Sequence, residues 1–129
     1  MSKSKVLVVD DEIHILHVVA IKLRNNNFEV LTAEDGVEAL ELAFKEKPDI
    51  IIADIQMPIM SGLELVAKLR ENEHTKNIPV LLLTARNFSI EDKQKQELKI
   101  SECLSKPFSP RELLRMVKDI LHQQVATQV

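Results

Sequence analysis

The stretch Val6-Leu7-Val8-Val9-Asp10-Asp11-Glu12 runs from four consecutive aliphatic residues directly into three acidic ones. A short aliphatic run without polar alternation is typical of a strand that is covered on both faces of a parallel sheet. Similar runs rich in aliphatic and β-branched residues occupy positions 28–31, 50–53 and 80–83, and a weaker run surrounds Cys103 and Leu104. The sequence therefore predicts five short strands.

The segments between these runs repeat with the period of a helix instead. Apolar residues fall on one helical stripe at Ile13, Leu16, Ala20 and Leu23, and again at Leu113, Val117, Ile120 and Leu121. Capping boxes, which mark helix starts, occur at Asp35-x-x-Glu38, Ser61-x-x-Glu64 and Ser109-x-x-Glu112, the last with Pro110 at the first helical position. A further, polar helix is expected from about residue 89 to residue 98.

Strands and helices alternate along the chain, which implies a parallel sheet joined by right-handed crossovers. The predicted fold class is α/β: a single-domain, doubly wound sheet of five parallel strands flanked by five helices. One domain fills residues 1–129, with a core at about 4–122 and a polar tail at 123–129. No internal repeat, low-complexity tract or long linker divides the chain.

The composition excludes several classes of protein. Seventeen basic residues against 20 acidic ones give a net charge of −3, and no basic cluster is interleaved with aromatic residues, so direct nucleic-acid binding is not expected. No apolar run approaches the ~20 residues that span a bilayer, so no membrane association is expected. Cys103 is the single cysteine, which excludes an internal disulfide and makes the cytoplasm the expected location.

Candidate chemistry lies just beyond the strands, because ligands of open parallel sheets bind at the carboxyl ends of the strands. The polar residues at these positions are Asp10, Asp11, Thr32, Asp54, Thr84 and Lys106. Three carboxylates at one edge would repel each other unless a divalent cation and an ammonium offset them, and hard oxygen ligands favour Mg²⁺. Asp54 could then attack phosphorus to form an acyl phosphate, with Lys106 neutralising charge and Thr84 donating a hydrogen bond.

Four motifs in this order resemble the receiver domain of two-component response regulators, of which the chemotaxis receiver is one. They are Val8-Val-Asp-Asp-Glu12, Asp54-x-x-Met-Pro58 with Ser61-Gly62, Leu83-Thr-Ala85 and Ser105-Lys-Pro-Phe108. The resemblance covers nearly the whole chain, and it implies the flavodoxin-like strand order 2-1-3-4-5.

The resemblance also implies the roles of the acidic residues. Asp54 would accept a phosphoryl group from the phosphohistidine of a sensor histidine kinase or of a phosphotransfer protein. Asp11, Asp54 and the main-chain carbonyl of Gln56 would bind Mg²⁺, with Asp10 assisting partly through water. The chain would act on itself in a phosphorelay, so it is not expected to be an enzyme that turns over an external substrate.

Thr84 and Lys106 would respond to the phosphoryl group, as the residues at these positions do in the family. Their response would change the affinity of the surface formed by the fourth helix, fifth strand and fifth helix for a downstream partner protein. Members of the family also form homodimers through the fourth and fifth helices, so a homodimer is a further possible assembly. Gln56 and Arg86 stand where the family tunes the lifetime of the phosphate, and the bond between Lys106 and Pro107 is usually cis. If the 129 residues are the whole protein, output must pass through a partner.

Two features depart from the family pattern. Cys103 stands three residues before Lys106, where receivers normally carry the Tyr or Phe that acts as a rotameric switch. The Gly-rich turn that commonly precedes the fifth strand is replaced by Glu97-Leu-Lys-Ile-Ser101, which favours a helix that continues up to the strand. A receiver without its aromatic switch could also be a constitutive scaffold.

Other readings of the same residues are weaker. A Mg²⁺-dependent phosphohydrolase with an aspartyl nucleophile would carry Asp-x-Asp after the first strand, whereas Asp10 and Asp11 are adjacent. Nucleotide or flavin binding requires glycines where this acidic turn stands. His14 and His17 are three residues apart on a predicted helix, but a metal clamp there lacks a third ligand.

Overall fold

The computed structural model describes residues 3–85 and 90–128, with side chains up to residue 123. Its strands are β1 (Lys5–Val9), β2 (Glu29–Ala33), β3 (Ile50–Asp54), β4 (Val80–Thr84) and β5 (Glu102–Ser105). They form one sheet in the order β2-β1-β3-β4-β5, and every neighbouring pair is parallel. The predicted doubly wound α/β class and its strand order are therefore confirmed.

Five helices connect the strands or follow them. They are α1 (Ile13–Arg24), α2 (Gly36–Glu46), α3 (Gly62–Arg70), α4 (Asp92–Leu98) and α5 (Pro110–Gln128). At the starts of α2, α3 and α5 the predicted capping residue accepts a hydrogen bond from the backbone three residues later, over 2.9, 3.1 and 3.1 Å respectively. Each bond satisfies one of the free N–H groups with which a helix begins.

The continuous aliphatic strands separate two apolar cores. On β1, Val6 and Val8 point into the core that α1 and α5 cover, whereas Leu7 and Val9 point into the core on the side of α2 and α3. Side chains alternate between the faces of a strand, so a strand buried on both faces needs apolar residues at every position. This is why the runs that identified the strands carry no polar alternation.

Gly62 fixes the start of α3 against the end of β3. A Cβ atom at this position would lie 2.5 Å from the carbonyl oxygen of Asp54 and 2.9 Å from the Cα atom of Ile55. The backbone N–H of Gly62 donates to the carbonyl of Ile55 over 2.8 Å. The absence of a side chain thus lets α3 approach the backbone that carries Asp54.

The expectation of a helix that continues up to β5 is wrong. Helix α4 ends at Leu98, because Lys99 takes a left-handed conformation with φ of 54° and the N–H of Ile100 turns back to the carbonyl of Lys95 over 3.0 Å. Leu98 and Ile100 pack against the apolar core beside this turn. A left-handed residue followed by an apolar contact is a common helix stop that does not require glycine.

Helix α5 runs through nearly all of the segment predicted as a polar tail and reaches Gln128. Residues 111–128 contain no glycine or proline that would end a helix earlier. Within the part of the chain that the structure describes, no helix is both long enough and apolar enough to cross a membrane.

Candidate functional site

Three of the predicted site residues are buried at the carboxyl edge of the sheet. Asp10 follows β1, and Asp54 and Thr84 are the last residues of β3 and β4. Their exposed fractions are 0%, 4% and 4%, and they account for three of the four polar residues that are buried in the described part of the chain. Polar groups that a fold buries together at one edge need partners, and this edge supplies them to both aspartates.

Asp10 is held by its own backbone and by a turn. Its N–H donates to the carbonyl of Ala33 over 3.2 Å, and its Oδ1 accepts from the N–H of Glu12 over 2.9 Å. Burial raises the pKa of Asp10 to about 6, and the charge of Asp54 adds to this, against the hydrogen bonds from Glu12 and Lys106. A carboxyl group in this state is poised to ionise fully when a cation arrives.

Asp54 offers each of its oxygens to a different partner. Oδ1 accepts from the N–H of Gln56 over 3.2 Å, and Oδ2 accepts from the Nζ atom of Lys106 over 3.1 Å. Gln56 itself is exposed on the loop that follows β3. The side chain of the predicted phosphoacceptor is 6% exposed, and both of its oxygens have a partner.

Lys106 joins the acidic residues to one another. Its ammonium lies 3.2 Å from Oδ2 of Asp10, 3.0 Å from Oε1 of Glu12 and 3.1 Å from Oδ2 of Asp54. Burial by itself would lower the pKa of Lys106, but the hydrogen bonds to Glu12 and Asp54 and the nearby negative charges outweigh burial and raise it. The ammonium is therefore firmly charged.

The backbone of Lys106 is fixed as tightly as its side chain. Its N–H donates to the carbonyl of Thr84 over 2.8 Å, which ties the loop after β5 to the end of β4. The peptide bond between Lys106 and Pro107 is cis, as the resemblance implies.

The carboxylates of Asp10, Glu12 and Asp54 form a group that could hold a cation. One oxygen from each lies within 4.8 Å of the others, and this is the one such group in residues 3–85 and 90–128. Three hard oxygen ligands with an open side fit Mg²⁺, which keeps part of its water when it binds protein. Asp11 is exposed and lies outside this group, so its part in metal binding stays a prediction.

Glu12 is a site residue to which the sequence interpretation gave no role. It occupies the N-cap position of α1, yet its side chain makes no capping hydrogen bond and reaches Lys106 instead. The available signal was its place as the third acidic residue in the run after β1. That run does not reveal which of its members points inward.

The remaining candidates lie apart from the acidic group or beyond the described residues. Thr32 lies within β2 opposite Val8, because the pairing with β1 continues to Ala33, so it does not stand beyond the strand end as expected. His14 and His17 are exposed on α1. Arg86 and the expected helix start at Ser89 fall outside the described residues.

Cys103 lies in β5 opposite Leu82, half-buried, and packs with Leu98 and Ile100 against the core on the α3 side. Burial raises the pKa of its thiol, so the sulfur stays protonated at neutral pH. The residue at the usual aromatic switch position is thus a small apolar contact beneath the end of α4.

An apolar groove of about 590 Å³ opens beside the acidic group, between α1 and the loop after β5. Its apolar walls include Ile15, Val18, Val19, Phe108 and Pro110, and Glu12 and Lys106 line the end nearest the site. Val18 is 50% exposed, and Ile21, one turn further along α1, is 57% exposed. The groove and the acidic group are therefore one continuous surface.

The fold and the site together define a doubly wound α/β protein with an acidic, lysine-bridged pocket at the carboxyl edge of its sheet. The family model of the response regulator receiver domain matches residues 6–118, and the chain belongs to this family. The chain is thus the receiver domain of a two-component system, as the motifs indicated.

Individual relatives agree with this assignment. The chain is 40% identical over 119 residues to the alkaline phosphatase synthesis transcriptional regulatory protein PhoP of Bacillus subtilis, covering 92% of this chain and 49% of that protein. It is 36% identical to the phosphate regulon transcriptional regulatory protein PhoB of Pseudomonas aeruginosa, covering 92% and 52%. The chain spans about half the length of the curated relatives it matches.

Among solved structures, the chemotaxis response regulator CheY4 of Vibrio cholerae is similar over its whole length. The two share 37% sequence identity with a TM-score of 0.85, covering 92% of this chain and 99% of that chain.

Proposed function

We propose that the protein is a phosphoacceptor that takes a phosphoryl group on Asp54 from a phosphohistidine of a sensor histidine kinase or phosphotransfer protein, with Mg²⁺. The observation that carries this proposal is the convergence of two buried aspartates, Asp10 and Asp54, on the single ammonium of Lys106. A buried carboxylate with a firmly held cation at one oxygen is both a nucleophile and a place where transferred negative charge can be stabilised.

The transfer is a displacement at phosphorus. A carboxylate oxygen of Asp54 forms the new P–O bond while the P–N bond to the donor histidine breaks, and the imidazole leaves with that electron pair. Lys106 already lies 3.1 Å from Asp54, so its ammonium can neutralise charge on the phosphoryl oxygens without a long movement. Thr84, buried at the end of the neighbouring strand β4, would donate its hydroxyl to another phosphoryl oxygen.

Asp11, Asp54 and the main-chain carbonyl of Gln56 would hold the metal, with Asp10 assisting partly through water, as the family resemblance implies. When bound, Mg²⁺ supplies positive charge that offsets the crowded carboxylates and the incoming phosphoryl oxygens. The raised pKa of Asp10 supports this, because it reports a negative charge that the protein alone does not fully compensate.

We further propose that the donor protein docks in the groove between α1 and the loop after β5. The groove ends at Glu12 and Lys106, so a helix or loop seated on its apolar walls would bring a phosphohistidine directly to Asp54. Exposed aliphatic side chains beside a reactive site are typical of protein contacts rather than of free surface.

Output would use the surface of α4, β5 and α5, where a change of affinity for a partner protein or for a second copy would follow phosphorylation. Helix α4 has no buried residue, and Leu98 at its end is its contact with the apolar core, so its first turn can shift at little cost in packing. With Cys103 in place of an aromatic switch, movement of α4 would carry the signal.

Labelling with acetyl phosphate and Mg²⁺ tests the phosphoacceptor proposal without any donor protein. Intact-mass measurement should show one added phosphoryl mass in the wild type and none in Asp54→Asn. Labelling that survives Asp54→Asn, or none in the wild type, would refute the proposal. Turnover of many equivalents of a phosphomonoester would instead support an enzyme.

Amide hydrogen exchange then separates a switch from a constitutive scaffold. A switch predicts that phosphorylation changes the protection of α4 and β5 relative to the free protein. Identical protection in both forms would favour the scaffold.

A further inference from the structure

The groove beside the acidic group continues along α1 into a second groove. The second groove has a volume of about 550 Å³ and lies between the later turns of α1 and the start of α5. Val18 and Pro110 line both grooves, and Ile21, 57% exposed, adds an apolar side chain to the second. Glu12 lines the first groove and Lys22 the second, and ten residues of helix span about 15 Å. The two grooves thus form one long groove that leads away from the acidic group.

The two ends of this long groove differ in charge. At the site end, the carboxylates of Asp10, Glu12 and Asp54 share one ammonium, so that end is acidic on balance. At the far end the charged residues are Lys22 and Arg111, and none of the described residues that line the second groove is acidic. Within the described part of the chain neither of these two side chains forms an ion pair. Both cations are therefore available to a partner.

The shape of the long groove fits a helix of the donor protein. Amphipathic helices dock by laying their apolar face into a groove with apolar walls, and Val18 and Ile21 provide such a wall. A length of about 15 Å corresponds to ten helical residues, or about three turns. A helix that presents its phosphohistidine at Asp54 and continues along the groove would therefore reach Lys22 and Arg111 about three turns away.

We propose, on the basis of the phosphoacceptor function and the donor docking above, that Lys22 and Arg111 recognise an acidic residue that the donor helix carries about three turns from its phosphohistidine. The apolar walls hold the helix, and the two cations fix its register. A shift of one turn, about 5.4 Å, would separate the acidic residue from both cations and move the histidine away from Asp54. Lys22 and Arg111 thus determine which donor is accepted and take no part in the chemistry at phosphorus.

The test reverses each charge and compares the result with Lys45→Glu. Lys45 is exposed in the last turn of α2 on the other side of the sheet, and Lys22 stands in the last turn of α1, so both reversals oppose a helix dipole alike. With a purified histidine kinase that labels the wild type, Lys22→Glu and Arg111→Glu should raise the KM for the receiver about threefold to tenfold at low ionic strength. The maximal rate should stay the same, and Lys45→Glu should match the wild type.

Two further measurements separate recognition from a structural effect. The rise in KM should shrink to within about twofold of wild type near 1 M salt, where charges are screened beyond ~3 Å. Replacing the acidic residue of the kinase by lysine should slow transfer to the wild type and restore transfer to Lys22→Glu. Damage to the fold of the receiver would not be restored by a second change in the kinase.

Three results would overturn the inference while the wild type is still labelled by acetyl phosphate. Lys22→Glu and Arg111→Glu could match Lys45→Glu although Val18→Ser slows transfer, which would leave the donor in the groove without using its basic end. A kinase that labels the wild type could lack an acidic residue within one turn of the expected position. Sedimentation could show a dimer that Lys22→Glu abolishes, which would make a second copy the occupant.

A wild type that takes no phosphoryl group from acetyl phosphate would instead overturn the phosphoacceptor function itself. That reaction needs no donor protein, so its failure is distinct from a failure of recognition.

Discussion

At Asp10 the fold buries a carboxyl group and offsets its charge only in part. Burial raises the pKa to about 6 from an ordinary value of 3.8, so the folded protein holds this proton more tightly than the unfolded chain does. The stability that comes from protonation is therefore complete below about pH 4 and is lost as the pH rises through 6. At neutral pH the ionised carboxylate of Asp10 therefore lowers the free energy of unfolding.

We expect Asp10→Asn to raise the free energy of unfolding near neutral pH, in metal-free buffer, by on the order of 2 kcal/mol. The amide keeps the shape and the acceptor oxygen of the side chain without its charge. The gain should disappear below about pH 4, which urea unfolding at several pH values can follow. Asp11→Asn, at an exposed position, should stay within about 0.5 kcal/mol of wild type, and a gain independent of pH would contradict this explanation.

A second prediction for a single residue concerns Gly62. Gly62→Ala would place a methyl group 2.5 Å from the backbone oxygen of Asp54, and backbone cannot move aside cheaply. We expect a loss of about 1–3 kcal/mol in unfolding free energy, together with slower labelling of Asp54.

Gly36→Ala is the matched control, because it is also a helix-start glycine with a near contact. There the new methyl group would lie 2.8 Å from the Cβ atom of Met60 and 2.9 Å from its Cγ atom, so this variant should also lose stability, but the contact does not involve the backbone of Asp54. Gly36→Ala should therefore leave the rate of Asp54 labelling close to that of the wild type. Equally slow labelling in both variants would show that the backbone contact at Gly62 is not what matters.

Among the elements, α4 is the one most weakly built into the fold. None of its residues is buried, but the Arg70 guanidinium on α3 donates to the carbonyl of Leu98 over 2.8 Å and to that of Lys99 over 3.2 Å. It also donates to the carbonyl of Ile78, just before β4, over 2.7 Å. Arg70 therefore attaches the last turn of α4 to the frame of the domain.

We expect Arg70→Met to weaken the fold by about 2–3 kcal/mol, because it removes charge-assisted hydrogen bonds to several half-buried carbonyls. Amide exchange should show protection lost first at α4 and the turn after it. Lys68→Met, an exposed substitution on the same helix, should leave α4 unchanged. Loss of protection spread evenly over the sheet would argue against a local attachment.

The groove beside α1 leads to a prediction about the donor. With a purified histidine kinase that labels the wild type, Val18→Ser should slow phosphotransfer about fivefold or more, the effect of removing an apolar interface contact. Labelling by acetyl phosphate should not change, because the small donor needs no docking surface.

Val37→Ser provides the matched control on α2, where Val37 is 43% exposed, similar to the 50% of Val18. It should slow neither reaction. If Val37→Ser slows kinase transfer as much as Val18→Ser does, the donor does not use the groove.

On the scale of the whole molecule, the sequence predicted most of what local patterns control. Unbroken aliphatic runs identified the strands, and the capping boxes identified the starts of α2, α3 and α5, because each of these signals acts within a few residues. Such signals also place Asp10, Asp54 and Thr84 at strand ends. The rule for open parallel sheets then brings the strand ends together.

What the sequence could not predict depends on side-chain direction or on distant packing. The acidic run after β1 shows three carboxylates, but only the fold decides that Asp10 turns inward, Asp11 outward and Glu12 across to Lys106. The end of α4 was also missed, because a left-handed lysine is set by the apolar contacts of Leu98 and Ile100 and carries no glycine signal.

The sheet also separates the two apolar cores of the domain. The groove beside α1 lies on the core that α1 and α5 cover, whereas α4 and Cys103 lie against the core on the side of α2 and α3. Substitutions in the groove therefore need not disturb the packing under α4, although α5 shares a core with the groove. A duplicated copy of this gene could change its donor and the partner that contacts α4 separately, provided that Asp54, Thr84 and Lys106 stay as they are.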